Sequence, residues 1–226
     1  MELQEVLRTT AAVREFTDDP LPDEVLAEIL EVARFAPSGG NRQGARIVVV
    51  RDRETRERLV EITGPGARRY AAQGAVREGP WNPVVPTTLT AEQIAATPVP
   101  PHLVEPIRTA AAVLVVCVDL SAVAATDQLL DRVGIVAGAS VYPLAWNILL
   151  AARERGYGGT FTTMAIAQEP ALKELLGIPD PYAVACVIPL GRPVKGVTRL
   201  KRRPVSELAT LERFDGPPLG DADTEE

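Results

Sequence analysis

The residues best suited to chemistry lie in one short polar turn, residues 36–43. It contains a proline, two glycines and three side chains with hydrogen-bonding groups: Pro37, Ser38, Gly39, Gly40, Asn41 and Gln43. The proline is expected to end a preceding helix, and the glycines allow a tight turn. A hydroxyl and two amides presented together can read the hydrogen-bonding edge of a planar heterocycle. The alternative is an ordinary helix–strand connection with a polar surface.

Other chemistries lack the residues that they need. The chain holds one histidine, His102, so a Ser-His-Asp triad or a histidine-rich metal site has almost no material, and we expect no metal. No Gly-x-Gly-x-x-Gly fingerprint follows a strand, and no P-loop is present. Cys117 and Cys186 lie in apolar, strand-like runs, where two buried thiols in a reducing compartment are favoured over a disulfide.

Composition bounds the class of protein. The 226 residues suit one domain spanning the whole chain, and a hydrophobic fraction of 46% supports a sizeable core. A net charge of −6 argues against general nucleic-acid binding. No apolar run approaches the roughly 20 residues of a membrane span, and the acidic N-terminus shows no secretory core. These features predict a soluble, cytoplasmic protein.

Apolar periodicity predicts the main elements. Helices are expected over residues 3–8, 23–35, 54–62 and 168–176, with Asp23 as an N-cap and Gly177 as a C-cap. Strands are expected over residues 47–50, 111–120 and 182–190, which are rich in β-branched residues. Helices and strands mix without strict alternation, so the fold class is α+β or mixed α/β.

The segment 64–106 differs in character from its surroundings. It carries eight of the 20 prolines and shows little periodicity. A loop of this length in a compact domain is usually disordered or functional. Tyr70, Trp81, Val84 and Val85 give it residues that can pack, which favours a partly ordered insertion or lid. Residues 215–226 are rich in acidic residues, proline and glycine and are expected to form a flexible tail.

A long apolar helical region is expected over residues 127–155, kinked or divided at Pro143. Gly134 and Gly138 would place small residues on one helical face. This region either packs within the domain or joins two copies in a homodimer. Its low charge on nearly every face suggests more burial than one domain supplies, which favours a helix that joins two copies.

The order of these features resembles one family, the FMN-dependent nitroreductases, from about residue 7 to residue 208. Five segments carry the likeness: residues 13–16 (Val-Arg-Glu-Phe), the 37–43 turn, the apolar region 134–152, the segment 158–163 and the basic residues 201–203. The resemblance implies an α+β fold, a three-layer α/β/α sandwich whose mostly antiparallel sheet is flanked by helices, in an intertwined homodimer.

The resemblance also implies roles for individual residues. Arg14 matches a cation near the flavin N1 and C2 carbonyl, and Lys201 and Arg203 match cations that hold the FMN phosphate. The turn residues Pro37, Ser38, Gly39, Asn41 and Gln43 match a contact to the ring from the partner subunit, and Gly159, Thr162 and Thr163 match a segment beside the ring. The alternatives are a solvated charge run for residues 201–203 and, for Arg14, a surface ion pair with Glu15 or Asp18.

The function implied by the resemblance is hydride transfer from NADH or NADPH, through FMN, to a nitroaromatic, quinone or related small acceptor, with no catalytic side chain. Two departures bear on it. Thr10-Ala11-Ala12 stands where the family commonly carries an Arg-Arg-Ser or Thr-Arg-Ala type stretch, so one cation is missing, and Gln43 is followed by Gly44-Ala45 rather than Pro-Trp. The alternatives are a flavin-sequestering protein with little turnover, and a flavin-dependent dehydrogenase or dehalogenase of one metabolite.

Overall fold

The computed structural model describes residues 1–196 and 200–220. Its helices are α1 (Leu3–Thr9), α2 (Asp23–Ala33), α3 (Arg53–Ala75), α4 (Ala91–Ala96), α5 (Pro101–Thr109), α6 (Tyr142–Glu154) and α7 (Glu169–Leu176). Its strands are β1 (Ala45–Val50), β2 (Ala112–Asp119), β3 (Gly158–Gly159) and β4 (Tyr182–Gly191). Residues 197–199 and the last part of the expected tail, 221–226, lie outside the described residues.

The four strands form one antiparallel sheet in the order β1-β2-β4-β3. Strand β2 lies at its centre, with Val48 opposite Val115 on one side and Ile188 opposite Leu114 on the other. The three strands expected from β-branched runs are confirmed to within two residues at each end. A central strand is buried on both faces, so its sequence is a continuous apolar run rather than an alternating one.

Two hydrophobic cores lie on opposite faces of the sheet. Leu114 and Val116 pack with residues of α2 and α6, including Ile29 and Ile148, whereas Val113 on the same strand packs with residues of α3, α5 and α7. Successive side chains of a strand point to opposite faces, so β2 contributes to both cores. The expected three-layer α/β/α sandwich is therefore confirmed.

The expected helix over residues 127–155 is wrong in its first half. Helix α6 begins at Tyr142, with Pro143 in its first turn, where a missing N–H costs no hydrogen bond. Upstream, the buried carboxylate of Asp127 organises an irregular loop by accepting from the Ile135 N–H at 2.7 Å and from Arg132 at 2.9 Å. Proline thus starts this helix instead of kinking it, and Gly134 is not on a helical face.

The segment 64–106 is more regular than expected. Helix α3 continues through Pro65 to Ala75, and α4 and α5 follow. Gly66 brings α3 against the 164–168 turn so closely that a Cβ at this position would overlap the Met164 carbonyl. Tertiary contact thus stabilises helix where Gly-Pro-Gly predicts a break. Of the residues expected to pack, Trp81 donates to the Gly66 carbonyl at 3.3 Å, but Val84 and Val85 are 82% and 62% exposed.

Two predicted helix ends have different outcomes. Gly177 adopts a left-handed conformation at φ +62° after α7, as a C-cap glycine should. Asp23 is the first helical residue of α2 and not its N-cap, because Pro22 occupies that position. The Asp23 carboxylate instead accepts from Arg51 at 2.7 Å.

In the part of the chain that the structure describes, no helix is both long and apolar enough to cross a bilayer.

Candidate functional site

The polar turn after α2 has an unusual backbone. Gly40, Asn41 and Gln43 have φ values of +60°, +54° and +50°, a left-handed region that side chains other than glycine rarely adopt. Ser38 Oγ accepts from the Gln43 N–H at 3.0 Å, and Gln43 Nε2 donates to Asn41 Oδ1 at 3.3 Å. Such conformations cost energy and are found mostly at functional sites, where the surrounding structure enforces them.

A neighbouring segment holds this turn in place. The Gly39 N–H donates to Ser140 Oγ at 3.2 Å, just before α6 begins. Pro37, Ser38 and Gln43 line a cavity of about 480 Å³ together with residues of α2 and β1. Ser38, Asn41 and Gln43 are therefore close together, and Asn41 and Gln43 bond to each other.

A second, larger cavity brings together three of the predicted site residues. Arg14, Thr162 and Thr163 line a space of about 830 Å³. None of the residues that line it also lines the cavity at the turn. Within one copy of the chain, the 37–43 turn and this main cavity are therefore separate places.

The N-terminal stretch is held against β3, and this contact positions Arg14. The Val13 N–H donates to the Gly159 carbonyl at 2.9 Å, and Ala12 pairs with Gly159 as a parallel bridge. Gly158 permits this close approach, because a Cβ would lie 2.7 Å from Val13 Cγ2 and the Val13 side chain would have to shift. A Cβ at Gly159 would overlap the Pro189 carbonyl of β4. The two glycines thus let the N-terminal stretch, β3 and β4 pack closely together. Gly159 contacts these segments and does not line the main cavity.

The threonine segment is fixed by β4. The N–H of Thr162 donates to the Val187 carbonyl at 2.8 Å, and the Val187 N–H donates back at 2.9 Å. This reciprocal pair leaves the threonine side chains as the groups available at the cavity. Thr162 is half-buried, whereas Thr163 is exposed.

Aromatic residues that the sequence did not assign to the site line the same cavity. They are Tyr70, Trp81, Tyr142 and Phe161. The rings of Tyr142 and Phe161 stack with centroids 6.2 Å apart. Burial raises the pKa of the Tyr142 phenol, which donates to the Ala185 carbonyl at 3.4 Å. Flat apolar walls of this kind suit a planar aromatic ligand.

The lining of the main cavity includes one arginine, Arg14, and the single histidine of the chain, His102. The described residues place no carboxylate in its walls. No ion pair within 4.0 Å involves the Arg14 guanidinium among residues 1–196 and 200–220, so the surface pair with Glu15 or Asp18 is absent there. The sequence did not assign His102 to the site. A single histidine argues against a triad or a metal site, but it does not argue against contact with a ligand.

Lys195 and the two basic residues near the C-terminus differ in position. Lys195 lines an adjoining cavity of about 620 Å³, which shares Arg14, His102 and Pro106 with the main one. Lys201 and Arg203 are exposed and line neither cavity within the described ranges. The structure therefore does not bring them together with Arg14, Thr162 and Thr163.

Comparisons with known proteins agree with this geometry. The sequence matches the Nitroreductase family over residues 7–192. A protein of Archaeoglobus fulgidus named as an NADH dehydrogenase/NAD(P)H nitroreductase is 28% identical over 204 residues, which cover 85% of this chain and 86% of the relative. Iodotyrosine deiodinase 1 of Rattus norvegicus is 25% identical over 210 residues, 92% of this chain and 68% of the relative.

The fold also matches solved structures. The NADPH:FMN oxidoreductase from Vibrio harveyi, in complex with NAD⁺, superimposes with a TM-score of 0.65 at 22% identity. The match covers 96% of this chain and 80% of that chain. At this level of identity, the superposition establishes a shared fold.

Proposed function

This chain belongs to the nitroreductase family, and on that premise we propose that it is an oxidoreductase that binds FMN and uses NADH or NADPH to reduce a small organic acceptor. The observation that carries the proposal is the main cavity, where Arg14, Thr162 and Thr163 meet between aromatic walls with no carboxylate among the described lining residues. The names of the relatives from Archaeoglobus fulgidus and Vibrio harveyi support the same chemistry.

The residues present fit a planar, electron-accepting ring. Tyr142 and Phe161 offer one flat wall, and the Arg14 guanidinium offers positive charge that forms no ion pair within 4.0 Å in the described ranges. Glu15 and Glu105 line the adjoining cavity rather than the main one. When bound, FMN supplies the hydride chemistry. Arg14 would stabilise negative charge at the N1–C2 edge of the ring, and the threonines would lie beside it. No side chain of the protein is then required as acid, base or nucleophile.

We assign the phosphate of FMN to Lys201 and Arg203. The support is their charge and exposure, and charge-assisted hydrogen bonds to lysine and arginine are the usual means of holding a phosphate. Replacing both with alanine should weaken FMN binding about tenfold or more, because each charged hydrogen bond contributes roughly 1.5–3 kcal/mol. Unchanged retention of flavin by the double variant, measured after gel filtration, would contradict the assignment.

We propose that the active unit is a homodimer. The turn cavity and the main cavity share no lining residues, which supports a contact from the turn of a second copy to a flavin in the main cavity. The turn residues concerned are Pro37, Ser38, Gly39, Asn41 and Gln43. Exposed apolar residues in the loop before α6 support this, since Leu129 is 92% exposed and Ile135 71% exposed. Light scattering of the flavin-loaded protein at micromolar concentration should give twice the chain mass of 24.2 kDa, and a flavin-loaded monomer would refute the proposal.

Anaerobic spectroscopy tests the function itself. The purified protein, reconstituted with FMN, should show flavin absorption that bleaches on addition of NADH or NADPH and returns on addition of a nitroaromatic or quinone. Flavin that stays oxidised with both nicotinamides would favour the alternative of a flavin-sequestering protein. Failure to bind flavin at all would overturn the proposal.

The buried, unpaired thiols of Cys117 and Cys186 support a cytoplasmic location.

A flavin-dependent dehalogenase is the second candidate. The similarity to iodotyrosine deiodinase 1 spans 92% of this chain, and the α3–α5 region adds Tyr70, Trp81 and His102 to one wall of the main cavity. Parallel assays with a nitroaromatic, a quinone and a halogenated phenol would discriminate between the candidates. Release of halide in preference to the other two reactions would favour dehalogenation.

A further inference from the structure

The groove between the N-terminal stretch and the end of α6 holds a cation that the proposed site does not use. Arg153 lies in the last turn of α6, and its Nε donates to Thr9 Oγ1 at 3.1 Å. It lines the groove with Thr9, Thr10, Ala11 and the two glycines of β3. Gly196, which leads toward Lys201, lies there too.

Arg153 differs from its neighbours in having no acidic partner. Arg155, two residues on, pairs with Glu28 and with Glu154, each at 3.3 Å. Arg192, on the strand side, pairs with Asp19 at 3.3 Å. Among residues 1–196 and 200–220 no carboxylate lies within 4.0 Å of Arg153, and none lines the groove.

The rest of the groove is also suited to an anion. The N–H of Ala11 donates to no protein acceptor in the described ranges, whereas the hydroxyls of Thr9 and Thr10 already donate to the carbonyls of Glu5 and Val6, each at 2.7 Å. The space itself is only about 10 Å³. A phosphate would therefore lie at its mouth, against the half-buried guanidinium, rather than inside it.

We propose that Arg153 is a phosphate-binding residue, which supplies from α6 the positive charge that Thr10-Ala11-Ala12 does not carry and holds the phosphate end of the flavin nucleotide. This inference rests on the proposed function, because it presumes that FMN is the ligand. The bridge between Ala12 and Gly159 lies between the two ends of the site. On one side it places Arg14 at the main cavity, and on the other it lies one or two residues from Ala11 and Thr10, which line the groove of Arg153. A flavin nucleotide with its ring beside Arg14 can thus direct its phosphate toward this groove.

Comparing FMN with riboflavin isolates the phosphate. We would measure dissociation constants for both by quenching of flavin fluorescence in the wild type, Arg153→Ala, Arg153→Lys and the matched control Arg155→Ala. Arg153→Ala should weaken FMN binding about tenfold or more and leave riboflavin binding within twofold, because only the charged hydrogen bond to phosphate is lost. Arg153→Lys should recover part of the loss, and Arg155→Ala should match the wild type.

Two further measurements separate this role from a structural one. Thr9→Val removes the partner of Arg153 but keeps its charge, so FMN binding should persist, and thermal unfolding without flavin reports any loss of stability. Equal weakening of FMN and riboflavin in Arg153→Ala, or no change in FMN binding, would overturn the inference while leaving the proposed function intact. A wild-type protein that binds neither flavin would overturn the proposed function itself.

Discussion

Adding one methyl group at Gly159 tests how the site is assembled. In Gly159→Ala, the new Cβ would overlap the backbone carbonyl oxygen of Pro189 and approach Leu190 Cδ1 to 3.3 Å and Leu149 Cδ2 to 3.4 Å. A side chain can rotate away from such a contact, but a carbonyl in the middle of β4 cannot. The strain must therefore move β3 away from β4.

The expected cost follows from this geometry. Overpacking of a well-packed region typically costs about 1–3 kcal/mol, and displacement of β3 would also strain the Gly159–Leu190 pair and the Val13 hydrogen bond to Gly159. For a domain of this size, 1 kcal/mol corresponds to roughly 2–4 °C in melting temperature. We expect a destabilisation at the upper end of the range and a fall in melting temperature of about 6–12 °C.

The assay is thermal and denaturant unfolding of the variant beside a matched control. Gly74→Ala adds the same methyl group at a helical position with no neighbouring atom within 4 Å. It should leave stability unchanged or raise it by about 0.5–1 kcal/mol, because glycine is unfavourable within a helix. If Gly159→Ala melts within about 1 °C of the wild type, the close approach of β3 to β4 does not hold and the argument for the placement of Arg14 fails.

Three further predictions concern charge and protonation. Arg14→Ala should lower the midpoint potential of bound FMN by roughly 20–45 mV, as expected for the loss of about 1–2 kcal/mol of Coulomb energy in an open site; Arg14→Lys should retain most of it, and equal potentials in spectroelectrochemical titration would remove Arg14 from the site. Burial raises the pKa of the Cys117 thiol to about 11 and that of Cys186 to about 12, so neither should react with a thiol reagent at pH 8 until the protein is unfolded, and rapid labelling of the native protein would contradict this. Hydrogen bonds from Thr87, Thr88 and Gln73 lower the pKa of Glu78 to about 2, so the fold favours the carboxylate. The stabilisation of the 76–90 loop by Glu78 should be complete above the ordinary carboxyl range and disappear as the pH falls toward 2. Hydrogen exchange in that loop should lose this acid dependence in Glu78→Gln.

Strands β1, β2 and β4 could be predicted from their apolar residues in the sequence. A strand buried on both faces needs apolar residues at every position, and residues 112–118 have them. The αL position at Gly177 was equally predictable, because only glycine adopts it without strain. The pairing order of the strands was not, since it depends on contacts between residues far apart in the chain.

Errors arose where tertiary contacts override local preference. Gly64-Pro65-Gly66 predicts the end of a helix, yet α3 continues, because Gly66 lets it pack against Met164. Pro143 predicts a kink, yet it lies in the first turn of α6, and the buried Asp127 holds the preceding segment as a loop by accepting from the N–H groups of Ile135 and Val136. Local sequence carries no information about such partners.

The candidate site divides in the same way. The sequence alone determined which residue types could serve a flavin: the polar 37–43 turn, Arg14 and the threonines before α7, in a chain with a single histidine. Only the tertiary structure decided that Arg14 and Thr162 share a cavity, that the turn lies elsewhere in the same chain, and that Arg153 faces the N-terminal stretch. The physical reason is that composition and periodicity encode burial and local conformation, whereas proximity between segments more than a hundred residues apart is set by how the sheet and its two helical layers pack.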